Sequence, residues 1–330
     1  MDQSFTQTIH KLFSTGKIPG LYGDEIPEHI ETMISDVYLF KKTVYKLYKW
    51  NSKKFNSTYL DISNPTIRTK FYTDDFKWNH YFNKHIYIDL LGVNVSRDSL
   101  SFNTDITKSH DAVIKMNRID EENNVTNLLK RNALSIKELE CIGAETTKTI
   151  AEFPNPQRTQ NNWYTYITKR LKDTQIFLNL AKPSLNQNDI DTYMQKLNAY
   201  VARNQKQLKA ITPKFLSISI DNHSDNVFYQ NGKTTFIDIF LPVPDWQLAD
   251  PFFNICRLSA DVWAYTDKAH ADGLVGGFQK YYTSYQIDNT LKLFYQLYSA
   301  CIMVAYKFLI SDTKTALKYK TYLDEFIGEI

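Results

Sequence analysis

The chain has 330 residues, 39 of them basic and 36 acidic, for a formal charge of +3, and 43% are apolar. That apolar content suits a large buried core in one domain or two lobes. The small net charge excludes a phosphate-neutralising surface, and with it nucleic-acid binding as the main business. Residues 1 to 117 carry 15 basic and 13 acidic groups and the remainder 24 and 23, so neither part is an electrostatic arm.

Only 10 glycines stand against 22 Tyr and 20 Phe, which excludes collagen-like and Gly-Ser linker readings. Cys141, Cys256 and Cys301 lie far apart, without the short spacing of a zinc knuckle or redox motif, and read as buried thiols of a reducing compartment. The opening MDQSFTQTIHKLF lacks the basic and apolar regions of a signal peptide. The longest apolar stretch, SACIMVAYKFLI, falls short of the ~20 residues that cross a bilayer. A soluble, cytoplasmic protein with no membrane partner is expected, of oligomeric state unknown.

In VYLFKKTVYKLYKW, residues 37 to 50, apolar and polar residues alternate in two runs that meet at Lys41-Lys42, which predicts a β-hairpin. A polar loop, NSKKFNST, follows. Ser63-Asn64-Pro65 then supplies an N-cap and a proline at the first helical position, so a helix is expected from about Pro65 to Asn83. HIYIDLLGVNV (85 to 95) and HDAVIKMNRI (110 to 119) are two more β-rich runs, separated by a polar turn.

Beyond Asp120 the period becomes helical, in NVTNLLKRNALSIKELECIGAETTKTIAEF, NWYTYITKRLKDTQIFLNLA and DIDTYMQKLNAYVARNQKQLKAI. Proline-bearing loops at Pro154-Asn155-Pro156 and Pro183 punctuate them. A β-island interrupts at 215 to 240, with Asn231-Gly232 as its hairpin turn, and three helices are expected after it. The fold class is α+β, with a β-rich N-lobe over 1–117 and a mainly helical C-lobe over 118–330.

The island carries the chemistry. Asp221, His223 and Asn226 precede the hairpin, and Asp238 is expected on its far strand, within Phe236-Ile237-Asp238-Ile239-Phe240. A carboxylate among apolar residues is costly to bury alone, so it binds a cation or meets a partner. Phosphoryl transfer to a hydroxyl needs a carboxylate that orients or accepts the hydroxyl proton, and oxygen ligands for Mg2+. Asp221 suits the first role, Asn226 and Asp238 the second. Read locally, Asp221-Asn222 and Asp225-Asn226 are equally turn residues bonding their own backbone. Lys46 shares a strand face with Val44 and Tyr48, where an ammonium wants a partner, and the helix offers Asp74 and Asp75. Trp163, Tyr164, Trp246 and Trp263 read as core packing ahead of a ring-stacking pocket.

In these features the sequence resembles the aminoglycoside phosphotransferase-like branch of the protein-kinase-like superfamily, and is most similar to a bacterial subgroup of it. The likeness covers nearly the whole chain, through HIETMISDVYLFKKTVYKLYK, LDISNPTIRTKFYTDDFKWNHYF, DAVIKMNRID, DNHSDN with FIDIF, and LFYQLYSACIMVAYKFL. Its most specific piece is the Asp-x-His-x-x-Asn spacing followed by Asp238.

The resemblance implies a two-lobed kinase-like fold with ATP and Mg2+ as cofactors. It implies Lys46 as the lysine that grips nucleotide phosphates, Asp75 in the place of its helix glutamate, and Ser35 in the turn over the phosphates. Met116 falls in the adenine-binding linker at Ile114-Lys115-Met116-Asn117. Asp221 falls to the catalytic aspartate, and Asn226 and Asp238 to the metal ligands. Asp250-Pro251 resembles a structural pair of the family, and His223 a residue that steadies the catalytic loop or, as the second choice, approaches the phosphates. The sequence departs from the pattern in Ser219-Ile220, where His-Gly is usual and Ile lacks the freedom of Gly. It also departs in Asp75, shorter than glutamate by roughly 1.5 Å, and in a first hairpin region whose only glycine is Gly23.

The function so implied is an ATP- and Mg-dependent phosphotransferase acting on a hydroxyl of a small polar molecule. The alternative is a kinase-shaped nucleotide-binding or scaffolding protein without turnover. A small-molecule acceptor is preferred to a protein, because Leu241-Pro242-Val243-Pro244-Asp245-Trp246 leads straight to helix, leaving no activation segment. A cationic acceptor would want acids around it, for which Asp225, Asp245, Asp250 and Asp261 are the local candidates.

Overall fold

The structure, a computed structural model, describes residues 3–20, 25–96, 99–153, 163–182, 184–210 and 216–329. Gly23, Pro183 and the loop at Pro154-Asn155-Pro156 lie outside the described residues. The chain divides into two compact units, Met1–Asp120 with Phe236–Val243 and Glu121–Thr235 with Pro244–Ile330.

The first unit is built on a six-stranded antiparallel sheet. Its strands are β1 (Glu28–Glu31), β2 (Ser35–Leu39), β3 (Thr43–Tyr48), β4 (Tyr87–Ser96), β5 (Ser99–Asn103) and β6 (Asp111–Asn117), in the order β1-β2-β3-β6-β4-β5. The hairpin expected at Lys41-Lys42 joins β2 to β3, and Phe40 N–H donates to the Thr43 carbonyl at 2.8 Å. Helix α1 (Gln3–Ser14), β1 and β5 were not expected. The β1 sequence EHIE is exposed throughout and β5 is largely polar, so pairing with β2 and β4 rather than apolar alternation makes them strands. Ile9, Leu12 and Phe13 of α1 join Tyr38, Tyr45, Leu47 and Val93 in one core.

After α2 (Lys53–Thr58) comes α3 (Pro65–Phe82), close to its expected span. Asn64 is its N-cap, accepting from Thr66 N–H at 2.9 Å and Ile67 N–H at 3.2 Å, with Pro65 at the first position. The buried stripe of α3 is Arg68, Phe71, Tyr72, Asp75 and Asn79, spaced at helical period but largely polar. Arg68 pairs with Asp111 of β6, whose carboxyl burial pushes up to about 6 against the pull of that guanidinium.

In the second unit the first helical run is two helices, α4 (Val125–Lys130) and α5 (Ile136–Ala151). The chain breaks between them at Asn132, with φ 52°, and restarts at a capping box of Ser135 and Glu138. Then come α6 (Trp163–Leu180), α7 (Gln187–Arg203) and α8 (Gln205–Ala210). The island holds β7 (Ser217–Ile218), β8 (Val227–Gln230) and β9 (Lys233–Phe236), and β10 (Leu248–Ala249) pairs with β7. The β8–β9 turn is Asn231-Gly232, with φ of 52° and 76°, the left-handed pair that a tight hairpin requires.

Four helices follow where three were expected: α9 (Pro251–Tyr265), α10 (Lys268–Tyr281), α11 (Asn289–Leu309) and α12 (Thr313–Glu329). Gly143 and Gly277 let α5 and α10 touch, since a Cβ on either would sit 2.1 Å from a carbonyl oxygen of the other helix. SACIMVAYKFLI belongs to α11, and no helix of the described residues is long and apolar enough to cross a membrane.

Asp250 caps α9. Its Oδ1 accepts from Phe252 N–H at 2.9 Å and its Oδ2 from the Tyr285 hydroxyl at 2.6 Å. Burial pushes this carboxyl up to about 6, against the pull of those bonds. A carboxyl raised in the folded state holds its proton more tightly there than in the unfolded chain. Its stabilisation is therefore full below the ordinary carboxylate value and is lost as pH rises through about 6, a change of roughly 3 kcal/mol. Asp250→Asn is expected to flatten that part of the fall in unfolding free energy between about pH 4 and pH 7. Urea midpoints taken across the range check it, and an unchanged slope would count against the assignment.

Candidate functional site

In the first unit Lys46 lies in mid-sheet on β3, opposite Val37 of β2 and Ile114 of β6. The pleat turns it inward with Val44 and Tyr48, and its ammonium stands 4.9 Å from the Tyr48 ring centroid. It donates to Oδ1 of Asp238, 192 residues further along the chain.

Asp238 is not on the strand where the sequence placed it. β9 stops at Phe236, and Asp238 follows in the left-handed region with φ 50°, unusual for a residue with a side chain. Its backbone is held there: Asp238 N–H donates to the Tyr87 hydroxyl at 2.8 Å, and Ile239 N–H to Asn79 Oδ1 at 3.1 Å. Asn83 Nδ2 donates to the Phe236 carbonyl. Ile239 is fully buried while the Asp238 side chain is 52% exposed, so a rigid frame displays a charged group.

Asp75 stands behind this turn. Its carboxylate accepts from the Tyr48 hydroxyl at 2.7 Å and from Asn79 Nδ2 at 2.9 Å. Burial pushes it up to about 6; the Lys46 charge pulls it down and that of Asp238 pushes it further up. Asn79 thus ties Asp75 to the Asp238 turn through both ends of one amide. Tyr48, Asn79 and Tyr87 are site residues that the sequence does not single out. A usable signal was present for two of them, since Tyr48 shares the face of Lys46 and Asn79 lies one helical turn after Asp75.

Ser35 is buried at the start of β2, its hydroxyl 2.9 Å from Thr32 Oγ1, which also accepts Ser35 N–H at 2.8 Å. It closes the β1–β2 turn. Met116 is in β6, paired with Val44 of β3 and Tyr87 of β4. Ile114–Asn117 is therefore the end of a central strand, and the chain leaves the sheet at Arg118.

In the second unit Asp221 lies on the loop after β7. One face of α9 grips that loop through Asn254, Arg257 and Asp261, spaced at three and four residues. Asn254 Oδ1 accepts from Ile220 N–H at 3.0 Å, and its carbonyl accepts from Asn222 Nδ2 at 2.8 Å. Arg257 Nη2 donates to Asp221 Oδ1 at 2.5 Å, and Asp261 Oδ2 accepts from Ser224 N–H at 2.6 Å. Asn226 Nδ2 donates to the Asp221 carbonyl at 3.0 Å, and its amide oxygen is a donor of the type that hard cations take.

His223 is buried with its ring nitrogens 3.7 Å from carboxylate oxygens of Asp221 and Asp225. Burial works to raise Asp225, but His223 and Lys307 hold it down at about 2, and Thr126 Oγ1 donates to it at 2.8 Å. The local turn reading holds for Asn226, whose amide bonds the Asp221 carbonyl, but not for the carboxylates of Asp221 and Asp225, which bond Arg257, Lys307 and Thr126. Ile220 is not among the described residues with left-handed backbone, so the loop does not call for glycine there. Arg257, Lys307 and Asn254 are likewise not singled out by the sequence. The signal for Asn254 and Arg257 is polar residues inside the largely apolar α9, PFFNICRLSADVWAY, and for Lys307 a lysine among the buried residues of α11.

The structure thus brings Lys46, Asp75 and Asp238 together in one unit and Asp221 with Asn226 in the other. Among the described residues no group of three or more His, Cys, Asp or Glu is arranged to hold a metal ion. Taken separately, the carboxylate of Asp238 in the first unit and the amide oxygen of Asn226 in the second are hard oxygen donors, of the type Mg2+ takes rather than the N and S donors of a structural zinc.

No protein-family profile matches the chain, and no curated protein does. Among solved structures it is similar to choline kinase from Cryptosporidium parvum Iowa II, at 12% identity and TM-score 0.55 over 99% of this chain and 97% of that one. It is similar to a thermostable mutant of aminoglycoside phosphotransferase APH(4)-Ia, at 12% identity and TM-score 0.54 over 98% of each. A third likeness is to glucosamine kinase in complex with glucosamine, ADP and inorganic phosphate, at 10% identity and TM-score 0.53 over 92% of this chain and 80% of that one. Likeness at such identities establishes the fold.

Proposed function

From the protein-kinase-like fold that the chain shares with these small-molecule kinases, we propose that it is an ATP- and Mg2+-dependent phosphotransferase acting on a hydroxyl of a small polar molecule. The observation that carries this reading is the meeting of Lys46 with Asp238 on strained, firmly held backbone. Strain of that kind persists where the surroundings over-determine it, and it gathers at functional sites. In this reading Lys46 holds nucleotide phosphate oxygens, Asp238 and Asn226 are the ligands of Mg2+, and Asp221 orients the acceptor hydroxyl. Mg2+, when bound, supplies charge neutralisation on the phosphates. Neighbours that hold nucleotide support ATP as the donor, among them APH(4)-Ia in ternary complex with AMP-PNP and hygromycin B (TM-score 0.52) and glucosamine kinase with ADP.

Thermal melting with ATP tests the nucleotide site. At about 100 times Kd the nucleotide should stabilise the fold by about 2.7 kcal/mol. In Asp238→Ala the part of the shift that depends on Mg2+ should disappear. A metal-dependent shift that survives the substitution would remove Asp238 from the site. A shift without ADP release over a broad acceptor panel would favour the inactive, nucleotide-binding alternative.

A further inference from the structure

The acids of the second unit that a cationic acceptor would need are engaged elsewhere. Asp225 is held by Lys307 and Thr126. Asp245 pairs with Lys169, and Asp250 caps α9 and binds Tyr285. Asp261 takes Ser224 N–H and the Tyr319 hydroxyl. Asp173 pairs with Arg170 and accepts from Trp246 Nε1 at 3.2 Å.

The guanidiniums show the opposite condition. Arg257 is 9% exposed and makes a single side-chain hydrogen bond among the described residues, to Asp221, while its Nε–H is buried without a partner. A guanidinium has five N–H donors in a fixed fork, so most of its capacity stands unused beside the residue proposed to orient the hydroxyl. Arg170 of α6 is also buried, with its Nε–H unpartnered among the described residues, and the Tyr298 phenol lies within electrostatic reach of both arginines. A cation approaching Asp221 would meet a carboxylate already neutralised and a positive charge that repels it. An oxyanion would meet donors that lack a partner.

We infer that the acceptor is itself an anion, a hydroxy compound bearing a carboxylate or a phosphate whose oxygens take the remaining donors of Arg257. The hydroxyl step rests on the phosphotransferase reading above. In it the acceptor oxygen bonds the γ-phosphorus, the bridging P–O bond breaks with its electron pair leaving on ADP, and the hydroxyl proton passes by way of Asp221 to water. Arg257 acts in this step as an acceptor-binding residue and fixes the rotamer of Asp221.

The test uses the full chain with glycerate, glucose 6-phosphate, glycerol, glucosamine and choline, reading ADP release with ATP and Mg2+ and, separately, melting without nucleotide. Turnover is expected with one of the two anions, and which one separates a carboxylate from a phosphate acceptor. Arg257→Met should lower kcat for every acceptor through Asp221, raise the KM of that anion by ~10-fold or more and well beyond any rise for glycerol, and abolish the anion-induced melting shift. Arg257→Lys should recover part of both effects and serves if the Met variant fails to fold. A higher kcat/KM for glucosamine or choline than for both anions would overturn the inference. So would an anion shift that is absent from the wild type or unchanged in both variants. Failure of ADP release with every acceptor would remove the phosphotransferase reading alone, because the Arg257-dependent melting shift still decides the oxyanion site.

Discussion

Asp221→Asn is expected to cut ADP release by ~10^2- to 10^4-fold, the usual contribution of a positioned carboxylate to proton transfer, with the fold retained. The amide keeps the shape and one acceptor oxygen, so the loop should stay gripped by Asn254 and Asp261, which bond its backbone and Asn222 rather than this side chain. It loses the charge that faces Arg257, which strips a buried guanidinium of the carboxylate it bonds. A lower melting temperature should therefore accompany the loss, while the shift produced by ATP and Mg2+ persists, because Lys46 and Asp238 are untouched. Circular dichroism, melting and ADP release measured together separate the effects. Turnover at the wild-type rate would take Asp221 out of the mechanism.

The second large effect is expected at a residue with no assigned contact to the nucleotide. Asn79→Leu removes the acceptor of Ile239 N–H and the donor to Asp75 Oδ1 in a fully buried position. Each group stripped of its partner costs ~1–3 kcal/mol, so a loss of about 2–6 kcal/mol in unfolding free energy is expected. The Asp238 turn loses one of the bonds that hold its left-handed backbone, so the Mg2+-dependent part of the ATP shift should shrink along with stability. Tyr87→Phe removes only the acceptor of Asp238 N–H and should give a smaller loss on both measures. Urea unfolding gives the first quantity and melting with ATP, with and without Mg2+, the second. An Asn79→Leu protein as stable as wild type would show that the amide does not hold the turn.

How much of this was legible follows from the range over which each residue acts. The Asn64-Pro65 start of α3, the hairpin at Lys41-Lys42 and the Asn231-Gly232 turn are local signals, and the structure contains all three. The spacing of Asp221, His223 and Asn226 is local too, and these residues do share one loop. β1 was not legible because EHIE has no apolar alternation and is a strand only by pairing with β2. The place of Asp238 is not legible because alternation in FIDIF suggests a continuing strand, whereas Tyr87 and Asn79, some 150 residues earlier, hold the turn that ends it. Arg257 and Asn254 were hidden in an apolar helical segment, where periodicity reports burial and says nothing of which buried residue carries a partner.

The grip of α9 on the loop has a consequence for how the chain tolerates change. Asn254, Arg257 and Asp261 address the loop through a single helical register, and each residue inserted ahead of them turns that register by about 100°. A one-residue insertion or deletion at the head of α9, harmless to helicity itself, would swing all three contacts away at once. Length is thus constrained as tightly as identity in this segment, while exposed loops elsewhere stay free to drift.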